Sequence, residues 1–162
     1  DHPRIIIPFI DTNGEWFGFQ GRSLDVNDKL RYITIMLDES KIKIFGLDRV
    51  DFDKTIYITE GPFDSLYIDN AIAMAGADVD WDILRDKEVV FVYDNEKRNK
   101  EIVNRMETAI SRGYEIVIWP DNLKEKDLND MFIAGHDVQS LVEFNTYSGL
   151  QAQIKLSEWK KV

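Results

Sequence analysis

The chain contains no cysteine and only two histidines, His2 and His136, among its 162 residues. Without thiols, neither a disulfide bond nor a zinc site with cysteine ligands can form within this chain. The histidines are far apart and flank no metal-binding partner, so we expect both at the surface. No apolar run approaches the roughly 20 residues of a membrane-spanning helix, and the first residues lack the pattern of a signal peptide. We therefore expect a globular domain with no membrane partner.

Positive charge is also scarce, since 20 lysines and arginines stand against 30 aspartates and glutamates, which gives a net charge of −10. Contacts to nucleic-acid phosphates need clustered lysine and arginine, so this balance argues against a generic nucleic-acid-binding surface. Charge is distributed unevenly along the chain: residues 4–50 are much less acidic than the rest. The basic residues of this region include Arg22, Lys29, Arg31, Lys41, Lys43 and Arg49. A basic groove can therefore coexist with an acidic region elsewhere.

The first 50 residues predict short strands joined by turns. Arg4–Ile10 and Trp16–Gln20 are rich in β-formers, and the Asp11–Gly14 segment between them has the composition of a tight turn. Tyr32–Met36 predicts a third strand and Ile42–Phe45 a shorter fourth. We expect this region to be a small unit dominated by strands.

From residue 54 onward the pattern changes to strands that alternate with helices. The predicted strands are Thr55–Thr59, Ala71–Ala75, Glu88–Tyr93 and Tyr114–Trp119. One predicted helix begins at Pro62. The others cover Asp80–Arg85, Lys97–Arg112, Asp127–Ala134, Val138–Phe144 and Leu150–Trp159. Repeated strand–helix units predict a mainly parallel sheet with helices on both faces.

Acidic residues follow three of these strands. They are Glu60 and Asp64 after the first strand, Asp94 and Glu96 after the third, and Asp121, Asp127 and Asp130 after the fourth. Ligands of parallel sheets bind beyond the carboxyl ends of the strands, so we expect these carboxylates to converge. Converging carboxylates need a cation, and oxygen ligands without nearby cysteine or histidine favour Mg²⁺ or Mn²⁺ over zinc. The sequence thus predicts metal-assisted phosphoryl or nucleotidyl transfer.

Each acidic residue alone also has a purely structural interpretation. Glu60 could be a helix-dipole partner, and Asp64 an ordinary acid of a first helical turn. Asp94 could cap the helix that follows it, as could Asp127. Only their joint position at one side of the sheet favours a metal site over a set of helix caps.

The chain contains three segments that resemble the signatures of the Toprim domain: Tyr57–Asp64, Tyr93–Glu96 and Lys126–Asp130. This domain is shared by bacterial-type primases, type IA and II topoisomerases and some nucleases. Glu96 stands where the second signature usually has aspartate, so it keeps a carboxylate but extends its reach. Asn129 stands where many members carry a second aspartate in the third signature.

The upstream region separates primases from the other Toprim enzymes. Four segments occur in the order seen in the basic subdomain of bacterial-type primases: Arg4–Phe9, Gly18–Arg22, Leu30–Ile33 and Ile44–Leu47. Within this family, the sequence is most similar to the primases of T4-like bacteriophages, over nearly the whole chain. Such primases carry an N-terminal zinc-binding domain that this cysteine-free chain lacks. Since the chain also opens without a methionine, we expect a fragment of a longer protein.

The resemblance implies an α/β fold in two parts with a helical tail. The expected Toprim domain is Rossmann-like, with a mainly parallel four-stranded sheet and helices on both faces, and a small mixed α+β basic subdomain precedes it. The implied boundaries are 1–52 for the basic subdomain, 53–136 for the Toprim domain and 137–162 for the tail.

The function implied by the resemblance is that of a DNA primase catalytic core, a nucleotidyltransferase that makes short RNA primers for lagging-strand replication. The implied partners are a single-stranded DNA template, ribonucleoside triphosphates, a hexameric replicative helicase and the missing zinc-binding domain. The implied cofactor is Mg²⁺ or Mn²⁺, and the implied location is the cytoplasm of an infected bacterial host.

The resemblance also implies roles for individual residues. The implied catalytic residues are Glu60, Asp94 and Glu96. The implied metal-binding residues are Glu60, Asp64, Asp94, Glu96, Asp127, Asn129 and Asp130. The implied nucleotide or template contacts are Arg22, Arg31, Lys41 and Lys43. Whether Glu60 binds a second metal or accepts the proton of the attacking hydroxyl stays open.

Two alternatives also stay open. A Toprim nuclease would hydrolyse phosphodiester bonds with the same metal cluster, because attack by water needs few different residues. A non-catalytic helicase-binding module would use Leu150–Val162 as its contact and would bind without depending on metal.

Overall fold

The computed structural model describes residues 3–76 and 78–162, and the expectation for His2 lies outside these residues. The first of its two sheets is antiparallel and has the order β1-β2-β3. Its strands are β1 (Arg4–Ile10), β2 (Trp16–Ser23) and β3 (Tyr32–Met36). The predicted turn between β1 and β2 is present, with Gly14 at φ +84°. The three predicted strands of this region are confirmed.

The predicted fourth strand at Ile42–Phe45 is wrong. Within it, the described chain forms only an isolated bridge, in which Phe45 exchanges two backbone hydrogen bonds with Ala73, of 2.8 and 3.0 Å. Gly46 follows at φ +97°, a left-handed conformation that turns the chain out of a strand. The bridge instead joins the N-terminal region to the second sheet.

The second sheet has five strands in the order β5-β4-β6-β7-β8. They are β4 (Ile56–Thr59), β5 (Ala71–Ala73), β6 (Val89–Val92), β7 (Glu115–Val117) and β8 (Thr146–Tyr147). The first four strands are mutually parallel, as predicted, and β8 pairs antiparallel with β7. The two-residue strand β8 was not predicted, because so short a segment carries no alternating pattern. Every residue of β6 is buried, as expected for a strand covered on both faces.

The described residues also form four α-helices: α1 (Lys100–Ser111), α2 (Leu128–Ile133), α3 (Val138–Phe144) and α4 (Gly149–Trp159). Asn99 caps α1 by accepting hydrogen bonds from the backbone N–H groups of Glu101 and Ile102. The helices at 138–144 and at the C-terminus agree with the predictions. No helix in the described part of the chain is both long and apolar enough to cross a membrane.

Two helix predictions need correction. Asp80–Arg85 forms turns rather than a helix. The backbone hydrogen bonds here, from the Arg85 N–H to the Asp82 carbonyl (3.3 Å) and from the Lys87 N–H to the Leu84 carbonyl (3.1 Å), join residues three apart. The segment after Pro62 forms only a 3₁₀ turn at Asp64–Leu66. Its backbone bonds join residues three apart, which is the pattern of a tighter and shorter turn.

The segment 137–162 adds both β8 and α4 to the larger unit. The buried face of α4 consists of Ala152, Leu156 and Trp159, which belong to the main hydrophobic core. This face is therefore part of the core, while Leu150 and Ile154 remain exposed. The boundaries at residues 52 and 136 stay predictions.

Candidate active site

A cleft of about 830 Å³ lies between the antiparallel sheet and the carboxyl ends of the parallel strands. One side, here called the acidic wall, consists of Glu60, Asp64, Asp94, Glu96 and Asp127. The lining side chains of the antiparallel sheet and its β2–β3 connection, here called the basic wall, include Arg22, Arg31 and Tyr32. Asn129 also lines the cleft. The structure therefore brings together most of the side chains that the sequence predicted as site residues.

Strand order explains why Glu60 and Asp94 meet. β4 and β6 are adjacent and parallel, with Thr59 opposite Val92, so the residues that follow them leave the sheet side by side. The Asp94 backbone N–H donates a hydrogen bond of 3.3 Å to Glu60 Oε2. The sheet thus holds the two residues at one edge.

Asp64 reaches the same edge from the 3₁₀ turn after β4. Its Oδ1 accepts a hydrogen bond of 3.3 Å from the Asn129 backbone N–H at the start of α2. A Cβ at Gly61 would lie 2.9 Å from Asp64 Oδ2, closer than any side chain tolerates. Glycine at this position therefore makes room for the carboxylate.

Asn95 joins the segment Tyr93–Glu96 to the loop before Asp127 by hydrogen bonds. Its backbone N–H donates to the Lys126 carbonyl at 2.6 Å, and its Nδ2 donates to the carbonyls of Leu123 (3.1 Å) and Glu125 (3.0 Å). These three bonds cross about thirty residues of sequence. Asn95 thus holds the loop that leads to Asp127 beside Asp94, through both its backbone and its side chain.

Burial makes the acidic wall electrostatically costly. Burial, reinforced by the charges of Glu60 and Asp64, raises the pKa of Asp94 from its ordinary value of 3.8 to about 8. Burial and the charge of Asp127 raise the pKa of Asp64 from 3.8 to about 6. Burial also raises the pKa of Glu60. Nearby positive charge would favour the ionised forms of these groups.

Two cations that the sequence did not predict as site residues contact the acidic wall. Lys126 Nζ lies 2.8 Å from Glu96 Oε1 and 3.8 Å from Asp94 Oδ2, and its hydrogen bond lowers the pKa of Glu96. Arg105 Nη1 lies 3.5 Å from Glu60 Oε1. The spacing of Arg105 from Glu101 predicts a surface pair on α1, which the structure also has at 2.7 Å. No sequence signal points from Arg105 to Glu60, 45 residues away.

The basic wall is organised around Arg22. Its guanidinium lies 5.1 Å from the ring centre of Tyr32 and 5.4 Å from that of Phe63, and it donates a hydrogen bond to the Tyr32 hydroxyl. Such stacking on two rings restricts the orientation of the planar group. Because Phe63 follows the Glu60-Gly61 turn, these contacts also join the two walls.

Three predicted site residues are not among the described residues that line the cleft: Lys41, Lys43 and Asp130. Lys41 Nζ pairs with Asp11 Oδ2 at 2.5 Å, and Lys43 is half-buried. Asp130 is exposed, and its backbone N–H donates to Asp127 Oδ1 at 2.8 Å. Asp127 is therefore the N-cap of α2 as well as a residue of the cleft.

The donor set suits a hard divalent cation, although the side chains do not form a complete cage. Within residues 3–76 and 78–162, no group of three or more histidine, aspartate or glutamate side chains is arranged to hold a metal ion. Magnesium commonly takes one or two carboxylates and completes its shell with water and substrate phosphate. The half-buried carboxylates with raised pKa, Asp94 and Asp64, fit a site of this partial kind.

The sequence matches no family model. It is 36% identical over 166 residues to the DNA primase of Enterobacteria phage T4, in an alignment that covers 99% of this chain and 48% of the T4 protein. The chain thus spans about half the length of this curated relative.

Solved structures of primases share the fold. The RNA polymerase domain of Mycobacterium tuberculosis primase DnaG matches 86% of this chain and 54% of its own, with a TM-score of 0.69 and 20% identity. The E. coli primase catalytic core matches 98% of this chain and 53% of its own, with a TM-score of 0.61 and 19% identity. A DnaG catalytic domain bound to single-stranded DNA matches 83% of this chain and 49% of its own, with a TM-score of 0.64 and 20% identity. The resemblance to the primases of T4-like bacteriophages is therefore confirmed over nearly the whole chain, which has the fold of the DnaG-type primase catalytic cores with their Toprim domain.

Proposed function

We propose that this chain is the catalytic core of a DNA primase, which joins ribonucleotides into short primers on single-stranded DNA. The observation that carries the proposal is the cleft in which half-buried carboxylates share one lining with Arg22 and Arg31. Nucleotidyl transfer needs both features, because one side must hold a divalent cation and the other must hold phosphates. The similarity to T4 primase supports the same conclusion.

The acidic wall would hold Mg²⁺ or Mn²⁺ through Asp94, Glu96 and Asp127, with Asp64 supporting the site from the 3₁₀ turn. When bound, such a cation lowers the pKa of an attacking hydroxyl and neutralises charge on the phosphate. Glu60 Oε1 faces Arg105 and its Oε2 accepts the Asp94 N–H, so both oxygens are already oriented. Glu60 can then serve as a ligand or as the acceptor of the hydroxyl proton.

The basic wall would hold the triphosphate or the template. A guanidinium offers two parallel N–H donors to a phosphate, which suits Arg22 and Arg31 better than a lysine would. Stacking on Tyr32 and Phe63 orients Arg22 before the substrate arrives. Lys41 and Lys43, which stand outside the lining of the cleft, would contact template further along its path.

The proposed partners are those that the resemblance to the primases of T4-like bacteriophages implies. They are a single-stranded DNA template, ribonucleoside triphosphates, a hexameric replicative helicase and a zinc-binding domain outside this chain, in the cytoplasm of an infected bacterial host. One DnaG catalytic domain with this fold is bound to single-stranded DNA. The relatives described above are primases, which does not favour the nuclease alternative.

The test is to incubate the chain with Mg²⁺, nucleoside triphosphates and a single-stranded template, and to compare the Glu60→Gln variant. The wild-type chain should lengthen nucleic acid, beginning with a dinucleotide, and Glu60→Gln should abolish this while its circular dichroism spectrum stays unchanged. Glu107→Gln, which alters an exposed α1 carboxylate paired with Lys160, is the matched control. If the Glu60→Gln variant still synthesises primers, Glu60 is neither an essential metal ligand nor the acceptor of the hydroxyl proton. Shortening of the template would favour the Toprim nuclease. Binding of a helicase without metal, and without any synthesis, would favour the non-catalytic helicase-binding module.

A further inference from the structure

Lys126 lies where a cation of the proposed reaction would have to bind. Its Nζ is 2.8 Å from Glu96 Oε1 and 3.8 Å from Asp94 Oδ2. In the described part of the chain, no other lysine, arginine or histidine nitrogen is recorded within 4.0 Å of either carboxylate. The positive charge at the centre of the acidic wall is thus supplied by one side chain of the protein itself.

The backbone of Lys126 is fastened to the loop whose carboxylates its side chain contacts. Its carbonyl accepts the Asn95 N–H at 2.6 Å, and the preceding carbonyl of Glu125 accepts Asn95 Nδ2 at 3.0 Å. The fold therefore keeps the root of the side chain beside Asp94 and Glu96. The side chain itself is 56% exposed, so packing does not enclose its ammonium.

Lys126 and a divalent cation cannot both sit close to the same two carboxylates. The ammonium already faces one oxygen of each, and two cations a few ångströms apart repel strongly in a partly buried site. A bound nucleotide changes this balance, because its phosphates bring negative charge that can accept the displaced ammonium.

We propose that Lys126 is an internal counter-ion that neutralises Glu96, beside Asp94, in the nucleotide-free protein, and that its ammonium moves to the triphosphate when a metal-bound nucleotide enters. This inference rests on the proposed function. Its consequence is that metal alone binds weakly and metal with nucleotide binds well. Lys126 thereby couples the binding of the two and becomes a further triphosphate contact on the acidic side of the cleft.

The experiment is a Mn²⁺ titration, followed by electron paramagnetic resonance, of the chain with and without a non-hydrolysable ribonucleoside triphosphate. Lys126→Met keeps the stem and removes the charge, while Lys126→Arg keeps a charge. Lys97→Met is the matched control, since Lys97 pairs with Asp121 at 2.6 Å outside the acidic wall. Without nucleotide, Lys126→Met should lower the Mn²⁺ dissociation constant about tenfold, because a competing cation has gone. Lys126→Arg and Lys97→Met should stay within about twofold of wild type, and at saturating Mn²⁺ Lys126→Met should bind nucleotide about tenfold more weakly.

Equal nucleotide-free Mn²⁺ affinity in Lys126→Met and Lys97→Met would overturn the exchange while leaving the proposed function intact. Absence of Mn²⁺ binding in every variant, with and without nucleotide, would overturn the metal chemistry of the proposed function itself. A second measurement uses the wild-type chain and therefore does not depend on whether the Lys126→Met variant folds. The NMR signal of the Lys126 ε-methylene in the wild-type chain should move on addition of Mg²⁺ and nucleotide together, and an unmoved signal would contradict the proposal.

Discussion

The acidic and basic walls of the cleft differ in how the fold holds their charged groups. Glu60 and Asp94 follow buried parallel strands and are joined by a backbone hydrogen bond, so the sheet itself sets their positions. Arg22 belongs to the antiparallel sheet and is oriented by contacts with two aromatic rings. The acidic wall is thus built by topology and the basic wall by side-chain packing. We expect the first to govern the rate of reaction and the second to govern substrate affinity.

The largest expected effect is that of Asp94→Asn. It removes a carboxylate at the centre of the acidic wall, and we expect primer synthesis to fall about a thousandfold, as when a transition-state charge loses its partner. Because ionised Asp94 is half-buried near the charges of Glu60 and Asp64, the metal-free variant should unfold at a higher temperature than wild type at pH 9. Synthesis rates and thermal unfolding test this. Asp82→Asn at an exposed site is the control, and an active Asp94→Asn would break the assignment.

Asn95→Asp should have the next largest effect. It removes the two Nδ2 donors to Leu123 and Glu125 and sets a carboxylate against their carbonyls. We expect metal affinity or synthesis to fall about ten- to a hundredfold, as for other groups that orient metal ligands. Asn95→Ala, which removes the bonds without adding charge, should lose less. Mn²⁺ titration of both variants tests this, and full affinity in Asn95→Asp would show that the loop does not need this fastening.

Arg22→Lys should affect affinity rather than rate. A lysine keeps the charge but loses the planar fork and its stacking on Tyr32 and Phe63. We expect the nucleotide KM to rise about tenfold with kcat nearly unchanged, since a tenfold change corresponds to about 1.4 kcal/mol of uniform binding. Steady-state kinetics at saturating Mg²⁺ measure both constants. A fall in kcat at constant KM would contradict the division of roles between the walls.

The smallest expected effect is the change of the melting temperature with pH. Asp64 and Asp94 have folded-state pKa values of about 6 and about 8, above their ordinary 3.8, so the folded protein binds these protons more tightly than the unfolded chain. The stability they contribute is present below about pH 4 and is lost as the pH rises through 6 and 8. The metal-free melting temperature should therefore fall between pH 6 and 9, and Mn²⁺ should restore it. Asp94→Asn should flatten the fall, whereas an identical fall in this variant would contradict the source assigned to it.

Much of the fold could be predicted because its signals are local. The wholly apolar run Val89–Val92 and the apolar stripe of α1 predicted the central strand and helix. The turns at Asp80–Arg85 were mistaken for a helix because Asp80 accepts the backbone N–H groups of Asp82 and Ile83 as a helix cap does, although only turns follow it. Strand β8 was missed because two residues carry no pattern.

The candidate site was predictable to the extent that topology determines it. Carboxylates at the ends of parallel strands had to meet at one edge, and Glu60, Asp64, Asp94, Glu96 and Asp127 do. Contacts between residues far apart in the sequence could not be predicted. Arg105 approaches Glu60 from 45 residues away, and Lys126 contacts Asp94 where Asn95 joins the two loops. The pairing of Lys41 with Asp11 likewise depends on the folded hairpin.

The central claim is that the acidic wall holds metal and the basic wall holds phosphate of one bound nucleotide. The most direct test is a crystal structure of this chain with Mn²⁺ and a non-hydrolysable ribonucleoside triphosphate, with manganese located by anomalous scattering. We predict an anomalous peak among Asp94, Glu96 and Asp127, with the triphosphate between that peak and Arg22. Manganese bound elsewhere, or a nucleotide that leaves both walls empty, would contradict the account.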